Sequence, residues 1–364
     1  MLSLRVKNNY QFLWQERERK SMIEKTLSGL DDVKTEQRGH VGRIILDRPK
    51  RLNALDAEMS QAIMRVLEAW RHDTAITLIL LESSSPRAFC AGGDLRAIRE
   101  ALFAYGPDKT YTLMNQAYNV MLQLADYPKS VVSFLDGIVM GGGVGLGCLV
   151  GHRIVTERSI LAMPETSIGL VTDAGQSWLL SRGKTPIGLR FALTGARITG
   201  EQAVLLGLAD AYVLSENLEG LRQALFHESI DVVLSQFATT VQKANIIPEV
   251  LEACYAAPTM VEILTRLEAC PLQEAKEDLE TLKQSSPTSL EASWYGWHAA
   301  RKLTTVHEVF DLERRLVRYV LGQPDLAEGV RARLVDRDNT PVWKPNQLEL
   351  VDTKAIDSVV KRCD

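Results

Sequence analysis

The chain has 364 residues, 46% of them hydrophobic, enough for a large buried core and for more than one compact unit. Its 46 Asp and Glu barely outnumber 42 Lys and Arg, and the net charge of −4 excludes the single-sign field of a general nucleic-acid binder. Cysteines at 90, 148, 254, 270 and 363 are odd in number and form no C-x-x-C pair, which excludes a zinc or dithiol motif and suits a reducing compartment.

The opening stretch MLSLRVKNNYQFLWQ is too polar for a secretory signal, and no apolar run reaches the roughly 18 to 20 residues that span a bilayer. A soluble, intracellular protein is expected. Arg5 and Lys7, with no acid before Glu16, resemble an organellar presequence, although a frayed arm would read the same way. Residues 1–34 are set apart as an N-terminal extension.

HVGRIILDRP reads as a strand, with Val41, Ile44, Ile45 and Leu46 running into Pro49, which cannot donate to a ladder. After Asp56, placed to cap a helix, Met59, Ala62, Ile63, Val66, Leu67 and Trp70 fall on one helical stripe. AITLILLES is apolar on both faces, as a buried strand is, and leads into AFCAGGDL. VVSFLDG, Val131 to Gly137, repeats the pattern of a short strand followed by glycines. Strands alternating with helices over residues 35–215 predict an α/β core with a mostly parallel sheet, its strand order undetermined. Thr199 opens a T-x-x-Q capping-box signal for a helix ending near Gly207. Residues 216–364 read as a helical C-terminal region, with Leu, Val and charges at helical spacing and prolines as punctuation.

Two glycine-rich stretches follow apolar strands: AFCAGGDL, Ala88 to Leu95, and GIVMGGGVGLG, Gly137 to Gly147. In parallel α/β sheets ligands sit beyond the carboxyl ends of strands, so the two ends could face one pocket. Bare backbone lets a ligand approach closely, and a helix starting near Gly142 would present free N–H groups. One N–H from each loop, converging on one point, would hold an oxyanion, each donor being worth roughly 3 to 4 kcal/mol in a dry site. Turns and close packing are the competing use of such glycines. The dinucleotide fingerprint G-x-G-x-x-G fails because the glycines at 143, 145 and 147 alternate; a P-loop fails at Trp178; no G-x-S-x-G elbow exists. Downstream, AMPETSIGLVTDAGQ carries Glu165 and Asp173 eight residues apart among apolar residues. Two carboxylates lining an apolar pocket could serve as base or nucleophile, their proton affinity raised by burial; two ordinary acids on a solvated loop would have the same spacing.

Taken in order, RPKRLNALD, AFCAGGDL, MGGGVGLG and AMPETSIGLVTD resemble the motifs of the crotonase (enoyl-CoA hydratase/isomerase) superfamily, most of all its 3-hydroxyisobutyryl-CoA hydrolase family. The similarity continues through SPTSL and EGVRARLVDRDNTPVWKP, so it covers roughly Val41 to Pro345. This resemblance implies a crotonase-like spiral of ββα units with a helical C-terminal region, and coenzyme A lying along the strand ends. It carries the two oxyanion-hole N–H groups over to Ala91 and Gly142, and substrate or CoA contacts to Arg51, Ala54, Gly92, Gly93, Asp94 and Gly141. Glu165 becomes the base or acyl-accepting nucleophile, and Asp173 the group that binds the acyl hydroxyl or orients the attacking water. Hydratases of the superfamily carry a second glutamate shortly after the triple glycine, where this chain has Gly145. The implied activity is hydrolysis of a CoA thioester in valine catabolism, in the mitochondrial matrix, or in the cytoplasm of a bacterium. No metal and no cofactor are implied, CoA being part of the substrate; the acyl-CoA is the expected partner, with homo-oligomerisation left open.

The sequence departs from that family at several points. Val171-Thr172 stand where an aromatic residue and proline usually precede the aspartate, Gln176 stands near a usual glycine, and Gln116-Ala117 replace a glutamate on the preceding helix. Among other candidates, Cys90 reads as a small buried residue and His152 as a residue following a helix end, while Arg48, Lys50, Arg51 and Arg87 could meet CoA phosphates or simply face solvent. Two further readings stay open: a hydrolase-like scaffold in a mitochondrial small ribosomal subunit, motivated by the altered pocket and the arm QERERKSMIEK, and an enoyl-CoA isomerase using Glu165 alone.

Overall fold

A computed structural model describes residues 31–183, 185–242 and 246–361; Arg5, Lys7 and Cys363 lie outside them. The described chain enters on an antiparallel hairpin of β1 (Val33–Arg38) and β2 (Val41–Leu46), in register from Val33 opposite Leu46 to Arg38 opposite Val41. Sequence reading misses β1 because VKTEQR is mostly polar, as suits the charged outer strand of a sheet. Val33 and Lys34, assigned to the extension, already pair with Leu46 and Ile45.

Asp56 caps α1 (Ala57–Arg71) by accepting from the Met59 N–H at 2.9 Å, and the whole expected stripe from Met59 to Trp70 is buried. β3 (Leu78–Ser83) is apolar on both faces because it lies between two cores. Ile79 and Leu81 join the main cluster, whereas Leu78 and Leu80 join a second one on the opposite side.

The elements that follow come in a repeating order: β4 (Ala88–Cys90), α2 (Leu95–Tyr105) and α3 (Pro107–Ala125), then β5 (Ser130–Leu135), β6 (Ile138–Met140) and α4 (Gly142–Cys148). β7 (His152–Val155) and β8 (Ile160–Ala162) lead to α5 (Gln176–Ser181) and α6 (Ile187–Thr194). β9 (Ile198–Thr199), α7 (Gly200–Leu205) and β10 (Ala211–Tyr212) close the core, and the Thr199 capping box forms as its spacing predicts. Each turn lays one strand in each of two sheets. The larger runs β1-β2-β3-β5-β7-β10, parallel from β2 onward; the smaller runs β4-β6-β8-β9, with β4, β6 and β8 parallel.

Helices dominate the remainder. α8 (Leu218–Leu225) and α9 (Ile230–Phe237) cover the outer face of the large sheet through Leu218, Leu221, Leu225, Ile230 and Val233. α10 (Glu249–Tyr255), α11 (Met260–Ala269), α12 (Gln273–Gln284), α13 (Pro287–Ala300), α14 (Val306–Leu321), α15 (Asp325–Val330) and α16 (Thr353–Lys361) extend the main core instead. Of these, α14 packs on α3 and α5, and α15 packs on α2. No described helix is long and apolar enough to cross a membrane.

Asn53 fixes the turn between β2 and α1 to the ends of two strands. It is fully buried at φ +54, its Nδ2 donates to Ser83 Oγ at 2.7 Å and Phe89 O at 2.9 Å, and its Oδ1 accepts from Arg48 N at 2.8 Å. Asn53→Ala would orphan these groups and leave a left-handed residue without its local hydrogen bonds, so a loss of about 3 kcal/mol is expected. Urea unfolding measures it; a change under about 0.5 kcal/mol would show that this side chain does not hold the turn.

Candidate active site

β4, β6 and β8 are neighbours and parallel, so three chain segments leave the same edge of the small sheet. The first runs through Ala91, Gly92 and Gly93 to Asp94, which caps α2 by accepting from the Ala97 N–H at 3.3 Å. The second is Gly141, leading directly into α4. The third passes through Met163 and Pro164 to Glu165, and the Gly141 N–H ties the second to it by donating to Ala162 O at 3.0 Å. Gly141 sits at φ +51, and a Cβ there would lie 3.0 Å from Glu165 Oε1. Both the conformation and the space demand glycine.

Two N–H groups on neighbouring segments are left unbonded here, and one is not the expected one. The Ala91 N–H donates to Leu52 O at 3.0 Å and is spent. Leu55 forms a parallel bridge with Gly93, donating to Gly92 O at 2.7 Å and accepting from Asp94 N at 2.8 Å, which turns the N–H of Gly93 to the opposite side. Gly142 is the first residue of α4, so its N–H has no acceptor within its own helix. A Cβ on Gly142 would lie 3.8 Å from Gly93 N. Gly93 and Gly142 are therefore two neighbouring amides without acceptors among the described residues, the first of them two residues along from the expected Ala91.

These atoms open on a cavity of about 400 Å³ whose walls are mostly apolar, with Leu55, Ile98, Met114, Met121 and Leu170 among them. Glu165 and Asp173 also line it and are 3% and 4% exposed, so the solvated-loop reading is excluded. Burial, and then the neighbouring Asp173, push the Glu165 carboxyl up to about 8, while the Gln176 side chain opposes this by donating to Oε1 at 2.9 Å. Glu165 Oε2 has no partner among the described residues. Burial raises Asp173 to about 6 against a hydrogen bond donated by the Tyr118 hydroxyl to Oδ2. Tyr118 itself is pushed well upward by burial and by Asp173.

The other expected contacts divide. Gly92, Gly93, Asp94 and Gly141 line the cavity, as do Ala91 and Gly142; Arg51 and Ala54 are not among its lining residues. Arg51 and Lys50 are exposed, as is Arg87. Arg48 is committed elsewhere, to Asp32, Asp56 and Asp94 at 3.1 to 3.2 Å and to Ala54 O at 2.9 Å. Cys90 is fully buried with its thiol pushed up to about 12 by desolvation, the inert state. His152 begins β7, and Ala117, where a family glutamate is missing, lines the cavity while Gln116 bonds Gln61 on the surface.

A family model described as enoyl-CoA hydratase/isomerase matches residues 41–360. The chain belongs to the enoyl-CoA hydratase/isomerase family. A mitochondrial 3-hydroxyisobutyryl-CoA hydrolase from Rattus norvegicus is 36% identical over 91% of this chain and 89% of its own length, and the Homo sapiens protein of that name 34% identical over 93% and 91%. Among solved structures, a carnitinyl-CoA dehydratase from Mycobacterium thermoresistibile superposes with a TM-score of 0.84 at 32% identity, covering 92% of this chain and 97% of that one. An enoyl-CoA hydratase from Rhodobacter sphaeroides gives 0.83 at 36%, covering 91% and 97%. The two-sheet spiral is thus the crotonase fold of this family, as the sequence motifs implied.

Within the hydratase/isomerase frame, two features of this chain stand out. The site of the second hydratase glutamate, Gly145, is closed: a Cβ there would lie 2.1 Å from Ala174 O. Glu313, on α14, is 1% exposed and accepts from Gly175 N at 2.7 Å and Ser177 N at 2.9 Å, directly behind the Asp173 turn. Sequence reading missed Glu313, Tyr118 and the bonding role of Gln176. An acid inside the apolar stripe Val309, Phe310, Leu316, Val317, Val320 was the signal for the first.

A carboxyl whose folded proton affinity is raised stabilises the fold fully below its unfolded value, near 4.3, and loses that contribution as pH rises toward about 8. Glu165→Gln removes the titrating charge and keeps an oxygen that can accept from Gln176. The variant is expected to gain on the order of 3 kcal/mol over the parent on going from pH 5 to pH 8. Denaturant midpoints at the two pH values measure this, and a constant difference would show that Glu165 titrates normally.

Proposed function

We propose that this protein is an acyl-CoA thioester hydrolase that cleaves 3-hydroxyisobutyryl-CoA, with the thioester oxygen held by the N–H groups of Gly93 and Gly142. The observation that carries the reading is the distribution of acids in the cavity: Glu165 and Asp173 are both buried there, whereas position 145 is closed by the Ala174 carbonyl. Adding water across a double bond calls for two acid/base groups at the reacting carbons. Hydrolysis needs one at the carbonyl. The relatives named as 3-hydroxyisobutyryl-CoA hydrolases over about nine-tenths of their length support the same choice.

In this mechanism the two amides stabilise negative charge as it develops on the carbonyl oxygen, each contributing roughly 10²- to 10³-fold in rate. Glu165 Oε2 takes a proton from water as the water oxygen bonds to the carbonyl carbon. Collapse of the tetrahedral adduct breaks the C–S bond, and the proton leaves with the thiolate as CoA thiol. A base with its pKa near 8 stores that proton well at neutral pH. Asp173, held by Tyr118, accepts the hydroxyl of the acyl group and so aligns the thioester with Glu165. The step uses water alone, with no metal or redox cofactor. Relatives described as mitochondrial support a mitochondrial protein, and a matrix location follows under this reading.

Thiol release from a panel of acyl-CoA thioesters tests this. The highest kcat/KM is expected with 3-hydroxyisobutyryl-CoA, a loss of about 10²- to 10⁴-fold in Glu165→Gln, and a fall in the same direction in Asp173→Asn. Equal rates in all three proteins, or double-bond migration in an enoyl-CoA without thiol release, would overturn the assignment.

A further inference from the structure

We propose that Gln176, which nothing in the family motif requires, is a positioning residue for Glu165: it holds one carboxylate oxygen and leaves the other for the reaction. This rests on the reading of Glu165 as the thioester base. Gln176 is fully buried at the start of α5, and its Nε2 donates to Glu165 Oε1 at 2.9 Å. Glu165 Oε2 is left without a partner, so the two oxygens are distinguished by one amide. The charged and titratable groups facing Glu165 are Asp173 and Glu313, both acids, with the Tyr118 hydroxyl engaged on Asp173. Among the described residues no Lys, Arg or His forms an ion pair with Glu165, so a neutral donor holds its charge in place.

The geometry also explains why this amide stays on target. Gln176 sits between the two N–H groups that Glu313 accepts, those of Gly175 and Ser177. The preceding turn has two successive left-handed residues, Ala174 at φ +58 and Gly175 at φ +76, a conformation that a chain avoids unless outside contacts hold it. Glu313 supplies that contact from α14. The C-terminal helices thereby reach the Glu165 carboxylate, at the oxygen that does not react, in three links: the Glu313 carboxylate, the backbone on either side of Gln176, and the Gln176 amide on Oε1.

Gln176→Met keeps the length and removes the donor; Gln176→Asn keeps an amide that falls one methylene short. In the full-length, ligand-free protein, infrared titration of the Glu165 carboxyl band, assigned by its absence in Glu165→Gln, is expected to show the midpoint about one pH unit higher in both variants. The acidic limb of kcat/KM for thiol release should move by the same amount, giving about a tenfold loss at pH 7 that closes as pH rises beyond the limb. If the Met variant fails to melt cooperatively, the Asn variant decides. An unchanged infrared midpoint in a folded variant overturns the inference. If the parent protein releases no thiol from any acyl-CoA, the hydrolase reading fails, and the infrared titration still decides the part played by Gln176.

Discussion

Hydrogen-bonded strands lie about 4.8 Å apart, so the segments leaving β4, β6 and β8 emerge within about 10 Å of one another and share a space with little room for side chains. That spacing accounts for the residues found there. Gly141 must pass under the Glu165 carboxylate, and α4 must begin against the end of the first segment. At the ends of the first two segments the glycines leave backbone facing the cavity, and backbone offers N–H groups wherever the local bonding does not use them. Two of them, on Gly93 and Gly142, lack acceptors because the local hydrogen-bond pattern uses their neighbours instead. The two unbonded amides at this edge are thus a by-product of how closely three strands can end together.

The acids require a different argument. Isolated buried carboxylates are costly, and a sequence selected for stability alone would not collect Glu165, Asp173 and Glu313 around one turn. Each is accommodated by neutral donors: an amide side chain, a phenol and two backbone N–H groups. Burial keeps the proton affinity of these carboxyls high, and the neutral donors oppose it without overturning it. Guanidinium groups in the same positions would have driven them toward permanent ionisation. The fold spends its arginines elsewhere, Arg48 among Asp32, Asp56 and Asp94, and Arg43 and Arg222 around Glu82.

Much of this was legible in the sequence, for reasons that differ by residue. The Asp56 cap, the stripe from Met59 to Trp70 and the Thr199 box are local, set by spacing along one element. The doubly apolar strand at Leu78 to Ser83 announced a layer on each side. β1 was not legible because it lies at the edge, where polarity is an advantage. The motif points to the amide of Ala91, whereas that of Gly93 is the one left unbonded, because a motif shows which residues are bare but not which amide is already bonded. That depends on Leu52 and Leu55, some forty residues earlier. Arg48 likewise looked available for phosphate because its three acidic partners are scattered through the chain. Glu313 lies nearly 140 residues from the turn it supports, and only the tertiary structure joins them.

The contact between Gly145 and the Ala174 carbonyl bears on how such a protein could change its chemistry. A glutamate introduced at 145 would meet main chain, which cannot swing aside as a flexible side chain does. The Asp173 turn would have to be rebuilt first, and Glu313 anchors that turn from another part of the molecule. Descent from this sequence toward a two-glutamate enzyme would therefore have to unmake the turn that carries Asp173 before a second carboxyl could enter. One carbonyl oxygen, lodged where a side chain would need to grow, makes divergence between the two chemistries a matter of order as well as of residues.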